Sequence, residues 1–343
     1  MVERPTVNDL ARMAGVSVAT VDRVINNRLP VREDTARRVL EAAERLGFHA
    51  TKLIRSRLRQ QLPEFRVGLL LQKPEDPFYR GLAAQLERAI TGNPEFRGAA
   101  TIRYWTRYDP DEIAAELRAL SGNADAVALV CPDYPAIVAA VEEIRSHDIP
   151  VFTLLSDCAP ASRTCFLGID GRQCGRTAGW IIRQTARRPG KVAVIIGNHQ
   201  WRGQESREIG IRAYFRQHAP EFAVLDAIVN AESDLRTEEA VGDLLTRHHD
   251  LVGIYVAGGG RAGAIARLRV VPPDRRPALI CTAQTGETRA GLEEGIVTMT
   301  ICEPLDRLCE KLVVLVHLAC GDSAARVPGH VFLPLELHTP ENV

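Results

Sequence analysis

Residues 6–28 read TVNDLARMAGVSVATVDRVINNR, and this stretch decides the first part of the fold. Val7, Leu10, Ala11 and Met13 recur at helical spacing, which predicts a short amphipathic helix with Thr6 at its cap. Ala14-Gly15-Val16 then reads as a tight turn, because Gly15 takes a positive φ without steric cost. Ser17 is placed to cap a second helix whose apolar positions are Val18, Val21, Val24 and Ile25, and Asn26-Asn27 ends it. A third helix is expected from Glu33-Asp34, whose carboxylates suit a helix N-terminus, to about Leu46, with Gly47 closing it. Three short helices with a small-residue turn between the first two form the helix-turn-helix pattern, whose second helix enters the major groove of DNA.

With Val21, Val24 and Ile25 turned to the core, Val18, Ala19 and Arg23 face outward. The planar fork of Arg23 suits guanine O6 and N7, and Val18 and Ala19 suit thymine methyl groups. Ser17, Thr20 and Asn26 are candidates for phosphate contacts that fix register, and Thr6 is grouped with these DNA-facing residues. The charge distribution agrees. The chain has 343 residues and a net charge of zero, yet residues 1–60 carry 12 Lys/Arg against 7 Asp/Glu, a balance of +5, so the remainder stands at −5. A basic end on an acidic body is the asymmetry expected of a DNA-binding arm.

Composition bounds the rest. A 45% hydrophobic, 25% charged chain is an ordinary globular protein, and its length allows a headpiece plus a two-lobed domain. No secretory signal or membrane-length apolar run is read, so a cytoplasmic location with no membrane partner is expected. The eight cysteines form no C-x-x-C pair and lie in apolar segments, which predicts buried reduced thiols. The histidines form no H-E-x-x-H pattern. No metal, cofactor or catalytic residue is expected.

Beyond Pro63 short apolar runs alternate with amphipathic helical stretches. The runs are Arg66–Leu71, Thr101–Trp105, Ala126–Cys131, Pro150–Leu155 and Cys165–Ile169, then Lys191–Ile196, Ala223–Val229, Val252–Ala257 and Ala278–Thr282. Two such series in tandem predict an α/β fold of two doubly wound, Rossmann-like lobes. Ligands of such sheets bind beyond the carboxyl ends of the strands, so a cleft between the lobes is the expected site. Candidate effector contacts are Phe78 and Tyr79 after the first strand, for stacking on a sugar face, and Asp157, Asp170, Gln284 and Glu303 after later ones. A carboxylate takes two hydroxyl bonds at once, which suits a polyol. Gly259, in a triglycine before a helix, lets backbone approach a ligand.

The quoted headpiece resembles that of the LacI/GalR family of transcriptional regulators, and the rest of the chain is similar to the family's periplasmic-binding-protein-like sensor. The resemblance implies a homodimer on a pseudo-palindromic double-stranded DNA operator, with affinity controlled by a small-molecule effector, a sugar or polyol. It assigns base reading to Val18, Ala19 and Arg23, and ligand binding to Arg207 in an R-x-x-G position. Asp22 departs from the family's usual Ser beside the DNA backbone. In the hinge, where the family wedges a Leu into the minor groove, Arg57 holds the expected place and Leu58 stands one residue late; both devices stay open. Gly258-Gly259-Gly260 replaces the family's Asn-Asp pair, and Gln284 stands where an Asp is usual.

The expected domains are a headpiece at 1–49, a hinge at 50–64 and a sensor at 65–340, its first lobe at about 65–169 and 304–320 and its second at about 170–300 and 323–340. Two rival readings exist. Gly258–Gly263 fits G-x-G-x-x-G, the fingerprint of an NAD-dependent enzyme, but comes late in the chain, with Gln284 in place of the ribose-binding acid. A solute-binding sensor without a DNA role leaves the headpiece unexplained.

Overall fold

A computed structural model describes residues 4–26, 31–321 and 327–343. Asn27, expected at the end of the second helix, and 323–326 of the expected second lobe lie outside the described residues. The chain divides into two compact units, Met1–Phe65 with Thr91–Ala99, and Arg66–Ile90 with Ala100–Val343.

The first unit holds helices α1 (Val7–Ala14), α2 (Val18–Asn26), α3 (Glu33–Leu46) and α4 (Thr51–Gln61). Thr6 caps α1 in a reciprocal capping box with Asp9, and Gly15 ends it at φ 63°. Gly47 closes α3 in the same left-handed conformation. The apolar stripes meet in one small core that includes Leu10, Val21, Val24, Val39 and Phe48. The stretch expected as a hinge, 50–64, is largely the helix α4. Its Ile54 is fully buried in that core, so α4 is a fourth packed helix of this unit.

The rest of the chain, lying mostly in the second unit, contains two sheets. The strands are β1 (Glu64–Gln72), β2 (Arg97–Trp105), β3 (Ala126–Leu129), β4 (Val151–Leu154), β5 (Cys165–Ile169), β6 (Lys191–Ile196), β7 (Ala223–Val224), β8 (Ile228–Val229), β9 (Leu251–Val256), β10 (Ala278–Thr282), β11 (Met299–Cys302), β12 (His330–Leu333) and β13 (Glu336–His338). The helices are α5 (Pro77–Thr91), α6 (Pro110–Ser121), α7 (Pro135–Ser146), α8 (Gly171–Thr185), α9 (Arg202–His218), α10 (Asp234–Arg247), α11 (Arg261–Arg269), α12 (Gly286–Glu293) and α13 (Leu305–Cys320). The first sheet has the order β12-β5-β4-β3-β1-β2 and the second β13-β11-β10-β9-β6-β7, with β8 also on β6. Strands such as β3, β4 and β5 are buried along their whole length, as expected of parallel strands covered on both faces. The strand order reverses between β1 and β3 in one sheet and between β6 and β9 in the other, which places a ligand-binding crevice at each switch point.

Two expectations need correction. The apolar run 223–229 is two short strands. The terminal stretch also divides between the lobes: β12 pairs in parallel with β5, His330 opposite Phe166, whereas β13 lies antiparallel on β11. The open edge of β5 takes β12 as its hydrogen-bonding partner, so 330–333 belong to the first lobe. The chain thus passes between the lobes three times, after β5, after β11 and between β12 and β13.

Candidate functional site

On the headpiece, Val18 is 46% exposed, and Ala19 and Arg23 also lie at the surface. Ser17 Oγ accepts the Thr20 backbone N–H at 3.1 Å, and the two hydroxyls lie 2.9 Å apart. Asn26 donates its amide to Asp22 at 2.6 Å, so the unusual carboxylate of α2 is held by Asn26 one turn on. The Arg57 guanidinium donates to the Ile25 carbonyl, and Leu58 is half-buried against the headpiece core. Both side chains named for the minor groove therefore lie against their own headpiece.

In the second unit, the loops at the carboxyl ends of both sheets line a small cavity of about 70 Å³ that opens to solvent. Of the expected residues, Phe78, Tyr79, Arg207, Gly259 and Glu303 line it. Arg207 projects from the first turns of α9. Its Nη1 donates to the Ala257 carbonyl at 2.7 Å and its Nη2 to Glu303 at 2.6 Å. Both side chains are buried, so the cation is neutralised within the protein. Arg207 Nε has no partner among the described residues, and neither does Oε1 of Gln72, the last residue of β1. Gln72 donates through Nε2 to the Tyr79 hydroxyl, whose ionisation is pushed well up by burial and then by the nearby Glu232 carboxylate. Gln72 and Arg207 both line the cavity, and each has one buried polar atom without a partner among the described residues, which is costly.

Three expected contacts are not brought there. Asp157 is clamped by Arg163, with one oxygen at 2.7 Å from its Nη2, and also accepts the Thr153 hydroxyl. Asp170 caps α8, accepting the N–H groups of Arg172 and Gln173, and lies in a surface groove beside Arg176 and Trp180. Gln284 follows Ala283, which does line the cavity, but is itself outside the lining.

Residues the sequence reading passed over take their places. Glu232 follows β8 in a turn where Ala231 and Glu232 both have positive φ. Its carboxylate accepts from Gln204 Nε2 at 2.7 Å and from the Gly259 N–H at 2.8 Å. That contact also disposes of the dinucleotide motif. The Gly259 N–H faces a carboxylate where a pyrophosphate would need a donor, and a Cβ on Gly258, Gly259 or Gly260 would strike Gln204, Glu232 or Thr237. Close packing accounts for the triglycine. Among the described residues no His, Cys, Asp or Glu cluster is arranged to hold a metal, and no helix is long and apolar enough to cross a membrane.

Known proteins share this architecture. Residues 67–319 match the periplasmic binding protein domain, and residues 6–51 match the bacterial regulatory proteins of the lacI family. The chain belongs to the periplasmic binding protein domain family and carries a lacI-family helix-turn-helix ahead of it. Its homologues include LacI/GalR-family repressors. The HTH-type transcriptional regulator GalR of Escherichia coli (strain K12) is 42% identical over 90 residues, 26% of each chain. The HTH-type transcriptional regulator DegA of Bacillus subtilis (strain 168) is 25% identical over 257 residues, 71% of each. The match thus spans about a quarter of the length of GalR. Among solved structures, AraP, an arabinose binding protein from Geobacillus stearothermophilus, is similar at TM-score 0.68 and 18% identity, over 82% of this chain and 98% of that one. GanP, a glucose-galactose binding protein from the same organism, gives 0.71 and 18%, over 82% and 99%. These likenesses establish the fold.

Proposed function

We propose that the protein is a cytoplasmic, homodimeric, non-enzymatic transcriptional repressor that binds a pseudo-palindromic operator through α2 and is controlled by an uncharged sugar or polyol in the cleft. The observation that carries the effector is the polar lining of one cavity by both lobes, with Gln72, Asp76 and Tyr79 from the first and Gln204, Arg207, Glu232 and Glu303 from the second. A hydroxyl both donates and accepts, so a polyhydroxylated molecule suits a lining that mixes amide, guanidinium, carboxylate and aromatic side chains. Because Glu303 already neutralises Arg207, and Asp76 and Glu232 outnumber the one further cation in the lining, Arg261, a phosphorylated sugar is disfavoured. The sugar-binding neighbours support the same class.

Ligand binding shifts the balance between open and closed lobes and alters the spacing of the two headpieces of a dimer, whose half-sites lie about 34–36 Å apart, so operator and effector affinities are coupled reciprocally. Operator titration by fluorescence anisotropy, with and without a sugar that raises the melting temperature, tests this. Equal operator affinity in both conditions overturns effector control. Binding is expected to weaken steeply with salt, because phosphate contacts release counterions. Sequence-selective duplex binding that survives removal of residues 1–60 would overturn the assignment of α2.

A further inference from the structure

The two lobes touch along one edge of the cavity through a short segment of the second lobe, Asn198 to Gly203, that lies on the first. Asn198 donates its amide to the Tyr108 hydroxyl at 3.0 Å. The Gln200 carbonyl accepts the Asp133 N–H at 2.8 Å, Arg202 Nη1 donates to the Asp133 carboxylate at 2.8 Å, and the Gly203 N–H donates to Ser156 Oγ at 3.1 Å. Between these bonds Trp201 is only 2% exposed, although it belongs to a loop. Its ring stacks on Trp105 of the first lobe, centroids 6.3 Å apart and planes at 25°, and meets Tyr108 edge-on. Trp105 is itself fixed by a bond from its Nε1 to the Val130 carbonyl.

We propose that Asn198–Gly203 is a clasp, with Trp201 as its plug and Arg202 as its bolt, that holds the cleft closed through protein contacts alone. In the absence of any ligand the closed state is then already populated, and an effector shifts an existing balance. The clasp stands on the contacts above; its link to an effector rests on the proposed function. That link is covalent. The segment runs directly into α9, which carries Gln204 and Arg207 into the cavity, and Trp201 forms part of the same wall. Any ligand that draws α9 toward the first lobe seats the plug, and any ligand too large for the closed cavity lifts it.

The chain has three tryptophans, so the full-length protein carrying Trp105→Phe and Trp180→Phe reports on Trp201 alone. In sugar-free buffer its acrylamide quenching is expected to be several-fold weaker than that of N-acetyl-tryptophanamide. Adding Arg202→Gln with Tyr108→Phe raises the quenching several-fold, and Arg202→Lys on its own stays near the parent. Fluorine NMR of the otherwise unaltered chain labelled with fluorotryptophan checks the same point without replacing Trp105: the Trp201 signal is expected to be solvent-shielded.

A Trp201 quenched as freely as the small-molecule standard overturns the clasp. So does unchanged quenching in a double variant that keeps its circular dichroism and cooperative melting. D-Glucose, D-galactose, D-ribose and D-arabinose are added one at a time as separate probes of the effector reading. A shielded Trp201 with a melting temperature indifferent to all four removes those sugars and leaves the clasp standing. Exposure of Trp201 in a protein that one of them stabilises does the reverse.

Discussion

Arg207 and Glu303 face each other at the floor of the cavity, each less than a tenth exposed. Glu303→Gln keeps the shape and removes the charge, leaving a buried guanidinium uncompensated. It is expected to cost about 3–5 kcal/mol in denaturant unfolding, and Arg207→Met in the same chain to return much of that. At the DNA face, Arg23→Ala is expected to lose about 1–3 kcal/mol at specific sites and to relax preference at one base pair, read by competition binding. Unchanged operator affinity would place base reading elsewhere on α2. Arg207 was reached through the family resemblance and Glu303 as a carboxylate after a later strand, and the structure pairs the two with each other. Asp170 was misread because an Asp before a helix serves equally as a cap, and capping is the commoner role. Glu232 was missed because two strands of two residues each, β7 and β8, leave almost no periodic signal ahead of it.

At the level of elements, the placement of α9 depends on how closely α8 approaches it. Gly171, Gly175 and Gly179 form a stripe down one side of α8. A Cβ on Gly175 would lie 1.9 Å from the Arg207 carbonyl oxygen and 2.8 Å from the Ile211 nitrogen. From the other side, a Cβ on Gly210 would lie 2.3 Å from the Arg172 carbonyl. Gly175→Ala must therefore push α9 outward and carry Arg207 off its bonds. It is expected to destabilise the fold by about 1–3 kcal/mol and to abolish stabilisation by any sugar that raises the parent's melting temperature. The spacing G-x-x-x-G-x-x-x-G was visible in the sequence, but glycines four apart acquire meaning only once a partner helix is known. The same limit applied to α4. The family resemblance made it a hinge, and only packing shows that Ile54 is an anchor. Ile54→Ala is expected to cost about 2–5 kcal/mol, measured as loss of headpiece helicity on mild heating.

On the scale of the whole molecule, the alternation of apolar runs and helical stretches disclosed both lobes, because buried parallel strands are nearly uniform in composition. What it did not disclose was the destination of the last two strands, since hydrophobic pattern carries no address. Buried thiols give a prediction that involves the entire chain. Burial pushes Cys281, Cys302 and Cys309 up to about 12, each from an ordinary value of 9.0. Between those values the folded protein keeps protons that the unfolded chain has released, so stability is intact below pH 9 and falls as pH rises through the folded values. Melting temperature is expected to decline progressively above pH 9, and a thiol reagent at pH 8 to react with the native protein far more slowly than with the denatured one. Rapid native labelling of these three thiols would contradict their burial.

The three passages between the lobes also govern how the protein is made. The first sheet is not finished when its first five strands have left the ribosome, since the edge of β5 waits for β12, more than 150 residues later in the chain. Until then that edge has unpaired backbone donors and acceptors, an invitation to pair with a neighbouring nascent chain. Slow or interrupted translation before His330 is thus where aggregation would begin, and neither lobe can be expressed as one continuous piece without leaving a seam open.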